Sequence, residues 1–292
     1  MDFLTSSFSE QGGESILGFE WWMRLSIVCT AVFILGFADD VKQFSPLLKL
    51  AGQLGVGALA FFLDFRMGAV LGYALPLPLD FVLTIGWLVV LMNAFNLIDG
   101  MDGLATGLAL IASIGLSCGL LLRGNPTDVL VLVGLAGVCL GFLRYNFHPA
   151  RIFLGDGGSL FLGFVVALLA LTTSSKSTAI LALGVPLFAV GVPLFDTLLA
   201  IWRRSVRRLL YKGDDSGLAG IMKADAQHIH HRLLQRGLSQ HQVAIALYAM
   251  NLALVSVAVV ALFYNASAAG IFVLSFVAGV YVIMRHLARL EL

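Results

Sequence analysis

Residues 81–103 read FVLTIGWLVVLMNAFNLIDGMDG, an apolar run that ends in a polar stretch. The run over 81–98 is close to the ~20 residues a helix needs to cross a bilayer. Within Asn93-Ala94-Phe95-Asn96-Leu97-Ile98-Asp99-Gly100-Met101-Asp102-Gly103, two amides and two carboxylates recur at every third position: Asn93, Asn96, Asp99 and Asp102. Residues three and four apart on a helix are neighbours, so successive members of this ladder can touch. Gly100 and Gly103 loosen the backbone where the helix should stop. Amides alone at such a place can be polar glue between helices. Two aspartates added at the same mouth favour a binding site, because ionisable groups at an apolar segment are costly unless they bind something.

Working outward, the chain of 292 residues is 59% apolar and 12% charged, with a mean hydropathy of +0.95. Soluble domains carry about 25% charged residues. The composition excludes that class and marks an all-α, polytopic membrane bundle, read as one domain over residues 1–292. No nucleic-acid partner is expected. Cys29, Cys118 and Cys139 fall in apolar runs without CxxC spacing and read as packing residues. Residues 1–19 are polar and acidic, without the basic start of a cleavable signal peptide.

Nine spans are expected, at about 20–37, 47–63, 81–98, 103–122, 128–147, 159–173, 178–202, 242–264 and 266–285. Residues 64–80 read as a loop with a short hairpin, and 203–241 as the longest polar segment. Pro186 and Pro193 should kink the seventh span. If the sides alternate from the N-terminus, one side receives Lys42, Lys49, Arg144, Arg151, Arg203, Arg204, Arg207, Arg208, Lys212, Lys223, Arg232, Arg236, Arg285 and Arg289. The other has Arg24, Arg66, Arg123 and Lys176. The positive-inside rule makes the first side cytoplasmic, with the N-terminus outside and the C-terminus inside.

The same alternation sorts the chemistry. Asp39, Asp40, Asp99, Asp102, Asp156 and Asp196 fall at or near inner ends of spans, as do His148, His228, His230, His231, His241 and His286. A catalytic cleft at the cytoplasmic membrane surface has this distribution. An ion-coupled transporter, the alternative reading, more often places such groups near the midplane.

Asp39 and Asp40 close the first span, where the helix dipole is already negative. A bound Mg²⁺ or a cationic partner would reverse that repulsion, and Lys42 and Lys49 could supply it without a metal. Gly155-Asp156-Gly157-Gly158-Ser159 opens the sixth span. Small residues there let a ligand approach the backbone, and free N–H groups at a helix start favour a phosphate or carboxylate; Asp156 could equally be an N-cap. In Asp225-Ala226-Gln227-His228-Ile229-His230-His231-Arg232-Leu233, three histidines could bind zinc, but no Cys accompanies them and no fourth ligand is obvious. They could instead hold pyrophosphate beside Arg232, or donate a proton. Arg203, Arg204, Arg207 and Arg208 read as stop-transfer charges at lipid headgroups.

These four features are far more specific together. Phe37-Ala38-Asp39-Asp40, the ladder from Asn93 to Gly103, Phe153-Leu154-Gly155-Asp156-Gly157-Gly158-Ser159 and His228-Ile229-His230-His231-Arg232-Leu233 occur in the order that resembles the polyprenyl-phosphate N-acetylhexosamine-1-phosphate transferases. The resemblance runs from about residue 25 to 240. The last motif looks like the undecaprenyl-phosphate N-acetylglucosamine-1-phosphate transferase branch more than the muramoyl-pentapeptide branch.

The resemblance implies transfer of a sugar-1-phosphate from a UDP-sugar to undecaprenyl phosphate, with release of UMP and with Mg²⁺ (or Mn²⁺) as cofactor, at the bacterial inner membrane. The product would begin a cell-envelope polysaccharide, lipopolysaccharide O-antigen among the candidates. Carried over by position, Asp39 and Asp40 serve the lipid phosphate and Asp156 binds the metal. Asp99 and Asp40 complete the implied metal set. Asn93, Asn96, Asp99 and Asp102 line the nucleotide-sugar pocket. His228, His230, His231 and Arg232 close over the sugar nucleotide, and Lys42 and Lys49 meet phosphate. A homodimer is common in relatives. Members of this family usually begin with two further spans joined by a P-R-x-G-G loop, which does not precede Asp39. The implied chain is therefore a truncation, a late start or a genuinely short member, and an inactive fragment is a further alternative to the transferase.

Overall fold

A computed structural model describes residues 18–70, 73–121, 126–174, 190–197 and 233–261. In chain order the helices are α1 (Phe19–Lys42), α2 (Pro46–Phe62), α3 (Leu77–Ile98), α4 (Leu104–Leu121), α5 (Pro126–Asn146), α6 (Gly155–Ser174), a short α7 over 191–197, and α8 (Gln240–Ala261). The strands β1 (Ala69–Val70) and β2 (Tyr73–Ala74) form a two-stranded antiparallel hairpin, with Ala69 opposite Ala74 and Val70 opposite Tyr73. The ninth expected span, most of the seventh, and His228, His230, His231 and Arg232 lie outside the described residues.

Among the described residues, five helices are long and apolar enough to cross a membrane: α1, α3, α4, α5 and residues 240–260 of α8. The apolar α2, and α6 over 155–171, are shorter. The protein is thus a mostly helical polytopic membrane protein. Two helices, α3 and α6, begin four residues earlier than their hydropathy predicts. α3 starts at Leu77 because Pro76 takes the N-cap position and Pro78 falls in the first turn, where a missing N–H costs nothing. α6 starts at Gly155 because Gly155-Asp156-Gly157-Gly158 forms its first turn rather than a loop.

α6 is the central helix. Leu160 and every residue from Phe164 to Leu171 are buried, between α1 and α3 and beside α4. Glycines permit the close crossings. A Cβ on Gly163 would lie 2.6 Å from the Leu91 carbonyl oxygen of α3, and one on Gly36 would lie 2.5 Å from the Asp156 carbonyl oxygen of α6. Trp87 Nε1 also donates to the Ala167 carbonyl at 3.0 Å. On the far side α4 packs between α5 and α8, with Tyr248 seated against Gly107. Of the three free cysteines, Cys139 is buried and Cys29 half-buried, as expected, but Cys118 lies on the outer surface.

The hairpin marks one end of the bundle, where Phe65 meets Trp21 of α1. Asp80, buried in the first turn of α3, accepts from the Gly68 N–H at 2.9 Å and from Thr84 Oγ1 at 3.1 Å. Thr84 Oγ1 in turn accepts from the Met67 N–H at 3.0 Å. The other end, a ~36 Å helix length away along α1, gathers the polar motifs.

Candidate active site

Successive helices reverse direction, so the C-terminal ends of α1, α3 and α5 share one end of the bundle with the N-terminal ends of α2, α4 and α6. Residues far apart in sequence meet there.

The Asp39–Asp40 pair splits into two roles. Asp40 Oδ1 accepts from the Asp156 N–H at 2.7 Å and Oδ2 from the Gly157 N–H at 2.9 Å. The α6 N-terminus is therefore capped by a carboxylate from another helix, not by Asp156. That arrangement also relieves Asp40, since the positive end of the α6 dipole faces it. The glycines are the steric condition. Gly155 adopts φ +66°, and a Cβ on it would sit 2.9 Å from Asp40 Oδ2. The ligand that the small residues admit is the end of α1.

Asp39 is buried at 4% exposure. Its Oδ1 accepts from the Phe44 N–H at 2.7 Å, and its Oδ2 lies 2.9 Å from Lys49 Nζ. Lys49 also reaches Asp156 Oδ2 at 2.9 Å and Asn96 Oδ1 at 3.0 Å. Asn96 Nδ2 donates to Asp156 Oδ1 and, at 3.0 Å, to Ser159 Oγ. Lys49 is thus the cationic partner that Asp39 requires at the end of α1. Lys42 is exposed and makes no ion pair among the described residues.

One turn deeper, Asn93 Nδ2 donates to Gln53 Oε1 at 2.7 Å and Gln53 Nε2 returns a bond to Asn93 Oδ1 at 3.3 Å. Asn93 Nδ2 also donates to its own Val89 carbonyl at 2.8 Å. Gln53 is fully buried. This reciprocal pair fixes α2 against α3, and it places Lys49 and Asn96, one turn above, opposite each other. Asn93 serves as the glue between helices in this geometry.

Asp102 lies in the turn between α3 and α4. Its Oδ2 accepts from His148 Nδ1 at 2.8 Å and from the Ala150 N–H at 3.0 Å. Burial opposes its charge, but these bonds hold the carboxyl below the usual carboxylate range. The His148 ring stands beside that of His241, with centroids 5.4 Å apart. Asn146 takes Thr106 Oγ1 at 2.9 Å and gives a bond to the Ile152 carbonyl at 3.0 Å. The loop from 147 to 154 is therefore tied to α4 and hangs beside the Asp156 cluster. Gly103, at φ +74°, turns the chain into α4, and its carbonyl accepts from Tyr248 Oη at 2.7 Å.

Asp99, the cap that follows α3, has neither an ion pair nor a side-chain hydrogen bond among the described residues. Burial pushes its carboxyl up to about 7, and the charges of Asp156, Asp40 and Asp102 add to the shift.

Asp39, Asp40, Asp156, Asn93, Asn96 and Lys49 are brought together, with Asp99 beside them. Asp102 anchors the adjacent loop. Gln53 sits inside an apolar run with no local signal to mark it, whereas Ser159 stood within the glycine-rich motif without a role of its own. His148 was visible only as one of several histidines on the inner side, and its partner lies 46 positions away.

The donor set can be tested against Mg²⁺. Among the described residues no three His, Cys, Asp or Glu side chains form a ready metal group. Mg²⁺ does not need one, since it binds through one or two carboxylates plus water and substrate phosphate. Asp39 and Asp156, with the Asn96 carbonyl oxygen between them, fit that requirement.

The family model described as glycosyl transferase family 4 matches residues 22–174. Over 236 residues the chain is 35% identical to "Probable undecaprenyl-phosphate N-acetylglucosaminyl 1-phosphate transferase" of Bacillus subtilis, covering 77% of this chain and 62% of that protein. Over 254 residues it is 34% identical to decaprenyl-phosphate N-acetylglucosaminephosphotransferase of Mycobacterium tuberculosis, covering 77% and 60%. Over 257 residues it is 32% identical to phospho-N-acetylmuramoyl-pentapeptide-transferase of a Synechococcus strain, covering 82% and 68%. The chain spans about three-fifths of the length of the first two.

Proposed function

The chain belongs to glycosyl transferase family 4, and from that premise we propose that it transfers N-acetylglucosamine-1-phosphate from UDP-N-acetylglucosamine to undecaprenyl phosphate. An oxygen of the lipid phosphate attacks the phosphorus bound to the sugar. The bond from that phosphorus to the UMP oxygen breaks, and UMP leaves. The product is a lipid-linked diphosphate sugar, the first membrane intermediate of a cell-envelope polysaccharide. In this reading nine spans place the site on the cytoplasmic face of the inner membrane, with the N-terminus outside.

The observation that carries the proposal is the convergence of Asp39, Lys49, Asn96 and Asp156 from four helix ends at one bundle end. Phosphoryl transfer needs positioning and charge neutralisation more than covalent chemistry from the protein. Mg²⁺, when bound, neutralises the diphosphate and the leaving UMP. Asp156 and Asp39, with Asn96, are the residues that would hold it. Asp40 keeps α6 docked on α1 and so holds Asp156 in place. Lys49 offers its charge to phosphate, and Asp39 is the carboxylate nearest to serve the lipid phosphate. Asp102 and His148 hold the loop beside the nucleotide sugar, and the family resemblance assigns His228, His230, His231 and Arg232 to the same substrate. The acceptor has its phosphate at the surface and its chain in lipid, so the cleft opens sideways to the bilayer.

The test uses purified protein in vesicles with radiolabelled UDP-N-acetylglucosamine and undecaprenyl phosphate, with Mg²⁺ or EDTA, beside Asp156→Asn. Label entering the lipid fraction with Mg²⁺ and with wild-type protein alone supports the reading. Label from a UDP-N-acetylmuramoyl-pentapeptide donor instead would move the chain to the branch of its Synechococcus relative. No labelled lipid from any UDP-sugar would overturn the proposal.

A further inference from the structure

Lys49 stands where a cation belongs. An ammonium has three donors, and Asp39 Oδ2, Asp156 Oδ2 and Asn96 Oδ1, at 2.9, 2.9 and 3.0 Å, can take all of them. The acceptors come from three helices, α1, α6 and α3, and the lysine from a fourth. Its side chain is 16% exposed, so water replaces these contacts only in part. The three oxygens are hard donors of the kind that Mg²⁺ takes, at about 2.0–2.1 Å. They converge on a point that the chain fills with its own charge. A divalent ion and an ammonium cannot both sit there.

We infer that Lys49 and the divalent cation exchange at one position: the ammonium holds Asp39, Asp156 and Asn96 together in the metal-free protein, and metal loading expels it toward the substrate phosphates. This rests on the phosphosugar-transferase reading. Charge accounts for the direction of the exchange. Two carboxylates against one ammonium leave a net negative charge, which repels a diphosphate. A divalent ion balances both carboxylates and frees one positive charge for the incoming anion. The structure permits the motion. Lysine is a compact charge on a flexible four-carbon stem, and the Gln53–Asn93 pair pins α2 one turn below. The side chain can therefore leave without moving the helix. The lysine becomes available to phosphate only when the metal is in, which orders metal before sugar nucleotide.

Wild-type protein in detergent, pulsed with acetic anhydride and read by peptide mass spectrometry, tests this without a variant. Lys42, exposed and free of ion pairs among the described residues, serves as internal standard. Acetylation of Lys49 should rise several-fold on adding Mg²⁺ while that of Lys42 stays constant. In a second arm Mn²⁺ binding is followed by electron paramagnetic resonance. Lys49→Met and Lys49→Gln, with no cation to expel, should bind Mn²⁺ about tenfold more tightly than wild type, a difference of ~1.4 kcal/mol. Lys49 labelling that stays flat or falls in saturating Mg²⁺ overturns the inference. So does equal or weaker Mn²⁺ binding by both variants, or no Mn²⁺ bound by any of the proteins. Should the variants not fold, the wild-type labelling decides alone. Neither readout involves sugar transfer. Metal-driven release of Lys49 without labelled lipid would count against the transferase and not against the exchange.

Discussion

Gly36→Ala tests the junction on which the site is built. The added Cβ would lie 2.5 Å from the Asp156 carbonyl oxygen and 2.6 Å from Gly157 Cα, both backbone atoms of α6. Ordinary C···O contacts begin at about 3.3 Å, so α1 and α6 must part locally by about 0.8 Å. The Asp40 bonds to the Asp156 and Gly157 N–H groups, at 2.7 and 2.9 Å, would then lengthen toward ~3.5 Å or more, beyond a useful hydrogen bond. Overpacking costs ~1–3 kcal/mol. Weakened bonds to a charged acceptor add to it, at the low end of ~1.5–3 kcal/mol because Asp40 is exposed. A total near 3 kcal/mol should lower the thermal midpoint in detergent by about 6 °C or more. Gly55→Ala is the control, since a Cβ there meets no atom within 4 Å among the described residues. Alanine at that position should be neutral or stabilising, by up to ~1 kcal/mol. A midpoint for Gly36→Ala equal to that of Gly55→Ala would refute the claim that α1 and α6 touch backbone to backbone.

Three other outcomes are expected. The Asp99 carboxyl, raised from an ordinary 3.8 to about 7 by burial and by the carboxylates around it, binds its proton more tightly folded than unfolded. The metal-free protein should therefore lose stability as pH rises from about 4 to 7; thermal midpoints in EDTA should fall over that window in wild type and fall less in Asp99→Asn. Gln53→Leu leaves Asn93 partly unpaired in the bundle and should cost ~1–3 kcal/mol, and the exchanged pair Gln53→Asn/Asn93→Gln should recover part of the lost midpoint, whereas a purely steric role would show no recovery. Asp102→Ala removes the acceptor of His148 and of the Ala150 N–H, so hydrogen exchange at Ala150 should quicken while the amides of α3 above Ile98 keep their protection.

Much of this was legible in the sequence. The apolar runs gave α1, α3, α4 and α5 to within a few residues, and the ladder's threefold spacing put Asn93 and Asn96 on one helix face. Periodicity reports what lies on a helix's own surface. It cannot name a partner contributed by a helix far away in the chain. Asp40 and Gly157 are 117 positions apart, so a carboxylate that reads as half of a metal pair is in fact bonded to backbone N–H groups. Lys49 was visible as a nearby counter-charge, but its place among three oxygens depends on how α2 seats against α3. That seating depends on Gln53, a lone amide in an apolar helix with nothing local to distinguish it. The prolines before α3 and the glycines opening α6 look like loop signals until their positions in a first turn are known.

The cap on α6 bears on selectivity. The N-terminus of a buried helix invites any anion that reaches it, and here Asp40 has already taken the invitation. A tethered rival of this kind acts at an effective concentration in the millimolar range or above. Stray phosphate and free carboxylates must out-compete an ion that never diffuses away. Only a guest that brings many contacts at once, as the proposed nucleotide sugar and lipid phosphate would, has enough binding energy to settle beside it. The site at rest is in this sense closed by chemistry.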